Sequence, residues 1–307
     1  MKKFAAQPQQ EQVNAYFQSR SAYWTDVYTG SGGSDVDAEI YRERHARVLA
    51  WIDSLALPPG SRVLEIGCGA GFMSIALAQR GLRVHAIDAV EAMVEQARRH
   101  AAEAGITDRL CLEVGDIYAL GFENESFDLV IAIGVIPWLE RAELAIQEMA
   151  RVTRPGGHII LTADNRQRLN NLLDPLRNPT LTPLKQGVKH ALERLGLRRR
   201  LPDQTEAPFY TYHDCRFIDM ALAQAALVKT RGMTLGFGPF SLLRRKVVPE
   251  PFATTLYHRL QRLADRGVPG FRSTGVHYLV LASKSASWPL LHSTSTEKSV
   301  TYITKIL

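Results

Sequence analysis

The fold of this chain is decided by the stretch Arg62-Val63-Leu64-Glu65-Ile66-Gly67-Cys68-Gly69-Ala70-Gly71-Phe72. An apolar β-type run breaks into closely spaced glycines, and a helical pattern follows. Alternate glycines allow positive φ and a close approach of the backbone to a ligand, while the first N–H groups of the helix stay free to donate. The stretch therefore predicts a strand, a tight loop and a helix start that bind a nucleotide-like cofactor.

The loop departs from the patterns that bind phosphate. Phe72 stands where a dinucleotide fingerprint has its third glycine, and no Gly-Lys-Ser/Thr follows as in a phosphate loop. Glu65 precedes the first glycine by two residues, where a carboxylate would repel a pyrophosphate but could face a cationic ligand. A positively charged adenosine cofactor without phosphates fits this loop better than NAD or ATP.

The glycine loop resembles the first motif of the class I S-adenosylmethionine-dependent methyltransferases, and further motifs of that family follow in order. They are His85-Ala86-Ile87-Asp88, Gly115-Asp116-Ile117, Phe127-Asp128-Leu129-Val130-Ile131-Ala132 and Arg154-Pro155-Gly156-Gly157-His158-Ile159-Ile160. The resemblance implies an α/β fold with a doubly wound, mostly parallel seven-stranded sheet, Rossmann-like, with an antiparallel C-terminal strand and helical insertions. It also implies S-adenosyl-L-methionine as the cofactor.

The resemblance assigns cofactor contacts to residues at the carboxyl ends of the predicted strands. Asp88 would accept both ribose hydroxyls, although capping of the helix that contains Met93 also explains an aspartate there. Asp116 would accept from the adenine amino group, and Ile117 would pack on the ring. The predicted cofactor-binding residues are Glu65, Gly67, Cys68, Gly69, Gly71, Asp88, Ala89, Met93, Asp116, Ile117, Ile133 and Gly134.

Residues 1–36 are predicted to form an N-terminal aromatic segment. Its aromatic residues lie one or two helical turns apart, and a glycine-rich run at 30–34 ends it. It could cover the cofactor as a lid or simply dock on the core, and both interpretations can hold. Tyr23 and Trp24 are predicted substrate contacts. Trp138, after the fourth strand, is another, although an aromatic residue at the start of a helix is as often core.

The sequence does not identify a catalytic base. Methyl transfer from a sulfonium mainly requires alignment of the reactants in a dry site. A carboxylate or phenolate acceptor would attack unaided, whereas an alcohol, amine or carbon acceptor would need a base. His213, Tyr16 and His45 are the polar candidates, but a lone histidine is more often an ordinary core or surface residue. The methylated atom stays open.

The predicted cofactor-binding core covers residues 37–164 and continues over 210–284. Between them, residues 165–209 form a basic, leucine-rich insertion that includes Arg198, Arg199 and Arg200. It predicts a helical lid over an acidic, partly apolar substrate or contact with an anionic membrane surface, with a solvated basic face as the alternative. A second insertion lies near 239–275, and residues 285–307 are predicted to be disordered.

Charge and composition narrow the function. The net charge of +6 favours acidic partners in general. Nucleic acid is disfavoured, because Gly134-Val135-Ile136-Pro137 replaces the Asn/Asp-Pro-Pro-aromatic motif of adenine methyltransferases, and no cysteine follows a proline as cytosine C5 enzymes require. We therefore predict methyl transfer to a small, acidic or lipophilic biosynthetic metabolite. An RNA methyltransferase and a nonenzymatic adenosyl-cofactor-binding partner subunit are the alternatives.

The remaining predictions concern metals and location. Cys68, Cys111 and Cys215 are too widely scattered for a disulfide framework or a zinc knuckle, so no metal site is predicted. No apolar run has the length of a membrane helix, and the N-terminus has no signal-peptide pattern, so we expect a cytoplasmic location. The oligomeric state is not specified by the sequence.

Overall fold

The computed structural model describes residues 8–29, 35–181, 183, 187, 210–243 and 245–285. The glycine-rich run at 30–34, most of the basic insertion with Arg198, Arg199 and Arg200, and residues 286–307 lie outside this part. The hinge, the basic lid with its membrane contact, and the disordered tail therefore stay predictions.

The central feature of the molecule is a sheet of parallel strands with one antiparallel member. The strands are β1 (Arg62–Ile66), β2 (Arg83–Asp88), β3 (Leu110–Val114), β4 (Phe127–Ala132), β5 (Thr153–Asp164), β6 (Leu227–Leu235), β7 (Ser241–Leu242), β8 (Arg245–Lys246) and β9 (His277–Lys284). Seven of them form the sheet in the order β3-β2-β1-β4-β5-β9-β6, and β7 pairs with β8 separately. Only β9 runs antiparallel to its neighbours in the sheet, which confirms the predicted fold class.

Helices cover both faces of the sheet. They are α1 (Pro8–Ser19), α2 (Ser21–Thr29), α3 (Val36–Ser54), α4 (Phe72–Gln79), α5 (Glu91–Glu103), α6 (Ala142–Val152), α7 (Leu169–Leu173), α8 (Cys215–Gln224) and α9 (Glu250–Asp265). α4 and α5 each end two residues before a glycine, Gly81 at φ +83° and Gly105 at φ +67°. Left-handed geometry at that position closes a helix with little strain only for glycine.

Two predicted elements differ in detail. The apolar pattern over 217–227 predicts a longer helix, but α8 ends at Gln224 because Ala226 turns at φ +60° and Leu227 begins β6. Residues 165–209 were predicted to be helical. Their described part contains the short α7, a 3-10 turn at Pro179–Leu181 and helical residues at 183 and 187, so the helical character of the whole segment stays a prediction.

The sheet separates two hydrophobic layers. One layer joins Leu64, Val130 and Ile159 to α6 and α8, and the other joins Leu129 and Ile160 to α3 and α4. Because β4 lies in the middle, its apolar side chains are buried on both faces, as expected for a parallel strand covered by helices. Each such side chain contributes about 1.5–3 kcal/mol by leaving water. Packing in these two layers fixes where each strand ends relative to its neighbours in the sheet.

Gly71 sets the distance between α4 and α5. It has φ +85°, and a Cβ there would lie 2.8 Å from Cβ of Ala97 in α5. Gly105 has φ +67° but nothing within 4 Å of the same position. The two glycines thus share a left-handed conformation and differ in packing.

We expect Gly105→Ala to lower the free energy of unfolding by about 1–2 kcal/mol, the cost of a left-handed L-residue. Gly71→Ala should cost about 1–3 kcal/mol more, because the methyl group also overpacks α5. Urea unfolding of both variants measures the difference. Equal losses would show that packing against Ala97 does not constrain the loop.

Candidate cofactor and acceptor site

A large cavity opens at the carboxyl ends of the parallel strands. Its volume is about 840 Å³, and it is lined on one side by the loops after β1, β2, β3 and β4 and on the other by α1, α2 and α3. The strand order reverses between β1 and β4, and doubly wound folds bind ligands at this switch point. The volume lies within the range of small-molecule sites, about 300–1,000 Å³.

The glycine loop is held against the end of β2 by its own backbone. The N–H groups of Gly67 and Cys68 donate to the carbonyl oxygen of Ile87 at 2.7 and 3.0 Å. The Gly69 N–H donates to Oδ2 of Asp88 at 2.9 Å. At Gly69, only Met93 Cε, 3.6 Å away, comes near the position of a Cβ, so the backbone there borders open space. A ligand can approach the chain at Gly69 without displacing protein atoms.

Asp88 lies at the end of β2, two residues before the N-cap of α5. Its Oδ1 accepts the N–H of Val90, the N-cap residue, at 2.9 Å, so Asp88 holds the turn that leads into α5 but makes no side-chain cap of that helix. The residue also lines the cavity. Burial raises the pKa of the carboxyl group, although the hydrogen bonds from Val90 and Gly69 oppose this shift. Each oxygen keeps a lone pair for a ligand hydroxyl, so the ribose contact stays a prediction that the geometry permits.

Glu65 is a buried acid at the end of β1. Only 3% of the residue is exposed, and the hydroxyl of Ser74 donates to its Oε2. Burial, with the negative charge of Asp88 adding to it, raises the pKa of Glu65 to about 8 against the lowering effect of Ser74. Burial disfavours the charged form, whereas a cationic ligand beside the carboxylate would favour it. The residue is therefore suited to respond to a positively charged ligand.

The other predicted cofactor residues surround this edge of the cavity. Asp116 is exposed and its Oδ1 accepts the N–H of Tyr118 at 2.9 Å, while Ile117 is buried beside it. Gly71 does not line the cavity, because it packs against α5; that prediction is corrected. The predicted residues that do line it are Glu65, Gly67, Cys68, Gly69, Asp88, Ala89, Met93, Asp116, Ile117, Ile133 and Gly134.

Aromatic side chains form the opposite side, which we call the aromatic wall: Tyr16, Phe17, Trp24, Trp138 and Tyr210. Trp138 is its centre, since Tyr16 stacks on it at 5.5 Å and Phe17 and Tyr210 meet it edge-on at 4.8 and 4.6 Å between ring centroids. All three predicted substrate contacts, Tyr23, Trp24 and Trp138, line the cavity. Such a wall favours a flat, apolar ligand surface.

Two of the three catalytic candidates predicted from the sequence line the cavity, and the third does not. Tyr16 and His45 line the cavity. Burial, together with the charges of Arg44 and Arg80, lowers the pKa of His45 to about 4, so its ring is neutral at pH 7. His213 lies outside the cavity lining, because its ring stacks on Phe217 of α8 at 5.0 Å and its backbone N–H is bonded to Asp164 O. The structure therefore corrects the placement of His213.

Arg44 on α3 is a site residue that sequence reasoning missed. It is 5% exposed and lines the cavity, its Nη2 donates to the hydroxyl of Tyr28 at 3.2 Å, and its guanidinium stacks on Tyr41. Within the described residues, Nε of Arg44 has no hydrogen-bond partner. Burial lowers the pKa of Arg44, while Tyr28, Tyr41 and the more distant charge of Asp164 raise it. A ligand acid could therefore meet the free face of this guanidinium.

A second missed group joins the ends of two strands. Asp164 is the last residue of β5, and His277, the first residue of β9, is its antiparallel partner. His277 Nδ1 lies 2.9 Å from Oδ1 of Asp164, and the hydroxyl of Tyr210 donates to Oδ2. All three line the cavity. The sequence contained a signal for this pairing, because the C-terminal strand was predicted to be antiparallel. An antiparallel strand begins at the edge of the sheet where the strand beside it ends.

One cluster of possible metal ligands lies outside the cavity lining. His85, Cys111 and Glu113 lie together on the outer part of the sheet, with ligand atoms within 4.8 Å, and His85 Nε2 is hydrogen-bonded to Glu113 at 2.8 Å. None of these three residues lines the cavity, although Val114, next to Glu113 in the chain, does. Among the residues that the structure describes, no helix combines the length and apolar character needed to cross a bilayer.

The sequence is similar to known proteins over part of its length. A family model described as a methyltransferase domain matches residues 64–161. The S-adenosyl-L-methionine-dependent Diels-Alderase iccD of Talaromyces variabilis is 36% identical over 143 residues, which are 46% of this chain and 47% of that protein. The ubiquinone biosynthesis O-methyltransferase of Paracidovorax citrulli (strain AAC00-1) is 37% identical over 119 residues, 38% of this chain and 50% of that protein. The chain spans about half the length of these curated relatives.

A solved structure extends the similarity of the fold to most of the chain. The magnesium protoporphyrin IX methyltransferase from Synechocystis PCC 6803, with bound S-adenosylhomocysteine, aligns with a TM-score of 0.58 over 90% of this chain and 100% of that chain. At 21% identity this likeness shows the fold alone.

The sheet, its switch point and the cavity define a doubly wound α/β protein with a ligand site at the carboxyl ends of its strands. Over residues 64–161 the chain matches a methyltransferase domain. This match and the two curated relatives confirm the resemblance to the class I S-adenosylmethionine-dependent methyltransferases that the sequence motifs show.

The raised pKa of Glu65 predicts a pH-dependent affinity for S-adenosylhomocysteine. Because a protonated carboxyl cannot balance the ammonium group of this ligand, binding must release the proton. Calorimetry should show affinity rising by up to about tenfold per pH unit below pH 8, and levelling off above about 8, where Glu65 is already ionised. Adenosine, which carries no charge, should show no such slope. An equal slope in Glu65→Gln would assign the titration to another group.

Proposed function

We propose that this chain binds S-adenosylmethionine along the glycine loop and transfers its methyl group to a small, acidic and lipophilic metabolite held at the aromatic wall. The observation that carries the proposal is the joining of both regions in one cavity of about 840 Å³. A cofactor at the loop and an acceptor at the wall would meet inside it without crossing bulk water.

Three acids support the cofactor part of the proposal. Glu65, Asp88 and Asp116 follow three neighbouring strands, and we call them the acidic edge. Carboxylates suit the hydroxyl, amino and ammonium donors of an adenosyl amino acid, whereas they repel phosphates. We therefore expect thermal stabilisation by S-adenosylmethionine or S-adenosylhomocysteine, and none by NAD or ATP.

Arg44 and the aromatic wall support the acceptor part. The guanidinium of Arg44 offers a positive charge and an unbonded Nε, and the wall offers flat apolar area. An acceptor with an acidic group and a ring or chain of carbon atoms would use both. A nucleic acid fits less well, because acidic residues outnumber the arginines in the lining of the cavity, whereas a nucleic-acid groove is positively charged.

The chain's own contribution to methyl transfer is alignment and exclusion of water. When bound, the cofactor supplies an electrophilic methyl group on a sulfonium. The acidic edge would orient the cofactor, and α1 and α2, which line the opposite side of the cavity, would help to exclude water from the attacking and leaving atoms.

Incubation with methyl-labelled S-adenosylmethionine and fractionated metabolites tests the proposal. We expect label in the fraction that enters organic solvent only at low pH, as a lipophilic acid does. Label in RNA would favour the RNA methyltransferase alternative. Tight cofactor binding without transfer to any fraction would favour an adenosyl-cofactor binder that does not methylate. One relative, named as an S-adenosyl-L-methionine-dependent Diels-Alderase, is a reason to include this outcome.

Asp88→Ala should weaken binding of S-adenosylhomocysteine by about 1.5–3 kcal/mol, or about 10- to 150-fold, through loss of charge-assisted hydrogen bonds. Asp128→Ala is the matched control, since Asp128 also accepts a backbone N–H, that of Arg62 at 2.6 Å, and does not line the cavity. Calorimetry should find the affinity of the control unchanged. Unchanged affinity in folded Asp88→Ala would leave Asp88 with only its role in holding the backbone at Gly69 and Val90.

A further inference from the structure

The pair formed by Asp164 and His277 has the geometry of an oriented base. Both residues are buried, at 4% and 3% exposure, and the sheet register places them directly opposite each other. The contact of 2.9 Å between Nδ1 and Oδ1 fixes the plane of the imidazole ring. The rigid strands therefore hold this ring in one orientation at the cavity.

The hydrogen bonds of Asp164 determine the tautomer of His277. Burial raises the pKa of Asp164, but His277, Tyr210 and Arg168 outweigh burial and leave the pKa below its usual value. An ionised carboxylate only accepts hydrogen bonds, so the proton of the neutral imidazole is on Nδ1. The lone pair is then on Nε2, which forms no hydrogen bond with any residue in the described ranges, while the ring lines the cavity.

The surroundings of His277 keep its ring neutral before reaction. Burial lowers the pKa of His277, Asp164 opposes this, and the charges of Arg44 and Arg168 add to the lowering. Tyr41 of α3 faces the ring at 5.8 Å between centroids. At neutral pH the ring can therefore accept a proton, and Asp164 stabilises the imidazolium that results.

We propose that His277 is the general base of this site, with Asp164 as its positioning residue, and that the acceptor group is a phenolic or enolic hydroxyl. This rests on the proposed methyl transfer. The hydroxyl proton moves to Nε2 of His277, the oxygen forms the new bond to carbon, and the carbon–sulfur bond breaks with its electron pair left on sulfur. Solvent later takes the proton from the imidazolium.

The neighbours of His277 select this acceptor over others. A carboxylate acceptor attacks without a base, so an oriented histidine would serve no purpose for it. A protonated amine would be repelled by Arg44 and Arg168, which both act on the same ring position. A hydroxylated ring with an acidic substituent matches the aromatic wall and Arg44, which stacks on Tyr41 beside His277.

The probe 4-hydroxy-3-nitrobenzoate tests the inference, because its phenolate absorbs visible light and its carboxylate can meet Arg44. We measure its absorbance against pH in the complex with S-adenosylhomocysteine. The wild-type protein should lower the apparent pKa of the bound phenol by about one unit or more, since an imidazolium beside the phenolate favours ionisation. His277→Gln should lose that shift, and Tyr210→Phe should reduce it. His258→Gln, at an exposed histidine remote from the cavity, should retain it.

Nitrogen-15 NMR of labelled histidine in the wild-type protein provides a test that does not depend on a folded variant. We expect the Nδ1–H tautomer for His277 with S-adenosylhomocysteine alone, and imidazolium after the probe binds. Asp164→Asn should abolish the imidazolium signal.

Each contrary result has a distinct meaning. A proton on Nε2 in the free protein, or equal phenol titration in wild type and His277→Gln, would overturn the assignment of His277. Failure of the probe to bind at saturating S-adenosylhomocysteine would overturn the choice of a hydroxylated acid as acceptor. Failure of S-adenosylhomocysteine itself to bind would instead remove the proposed function on which the inference rests.

Discussion

The carboxylate of Asp88 is the interaction on which the site depends. One oxygen accepts the N–H of Gly69 and the other that of Val90, so a single side chain fixes both the glycine loop and the start of α5. The loop can take this path because Gly67, Gly69 and Gly71 all have positive φ, which costs other residues about 1–2 kcal/mol each. Burying the carboxylate is tolerated because backbone donors compensate for the lost water.

The parallel sheet brings the other functional side chains to the same edge. Strands of equal direction end at one side, which collects Glu65, Asp88 and Asp164. The antiparallel β9 begins at that side, which adds His277 although it is separated from Asp164 by 113 residues. Arg44 reaches the cavity from α3, the helix that precedes β1 in the chain and packs on the sheet. The site is therefore a consequence of strand direction rather than of any single motif.

The sequence predicted what is encoded locally. The spacing of the glycines predicted the loop, the acids at the ends of apolar runs predicted the acidic edge, and the alternation of strand and helix patterns predicted the sheet. Each of these features depends on residues that are close in the chain. Arg44 was missed because its spacing with Ile40 and Val48 is that of an ordinary apolar helix stripe. The pairing of Asp164 with His277 was missed because it requires the register of two distant strands. His213 was a misleading candidate, since a histidine in a sequence carries no sign of the direction of its ring.

The charged residues that line the cavity lie on two sides of it. Their separation would position the two reactants of the proposed reaction. The acidic edge faces a cation favourably, whereas on the other side the positive charges of Arg44 and Arg168 oppose the negative charge of Asp164 beside His277 and would favour an anionic acceptor next to Arg44. A sulfonium and a phenolate placed between these sides lose their charges as the methyl group moves. A dry, aromatic environment solvates separated charges poorly, so it destabilises the reactants more than the transition state in which charge is vanishing. The same wall that selects a flat acceptor would therefore also accelerate its methylation.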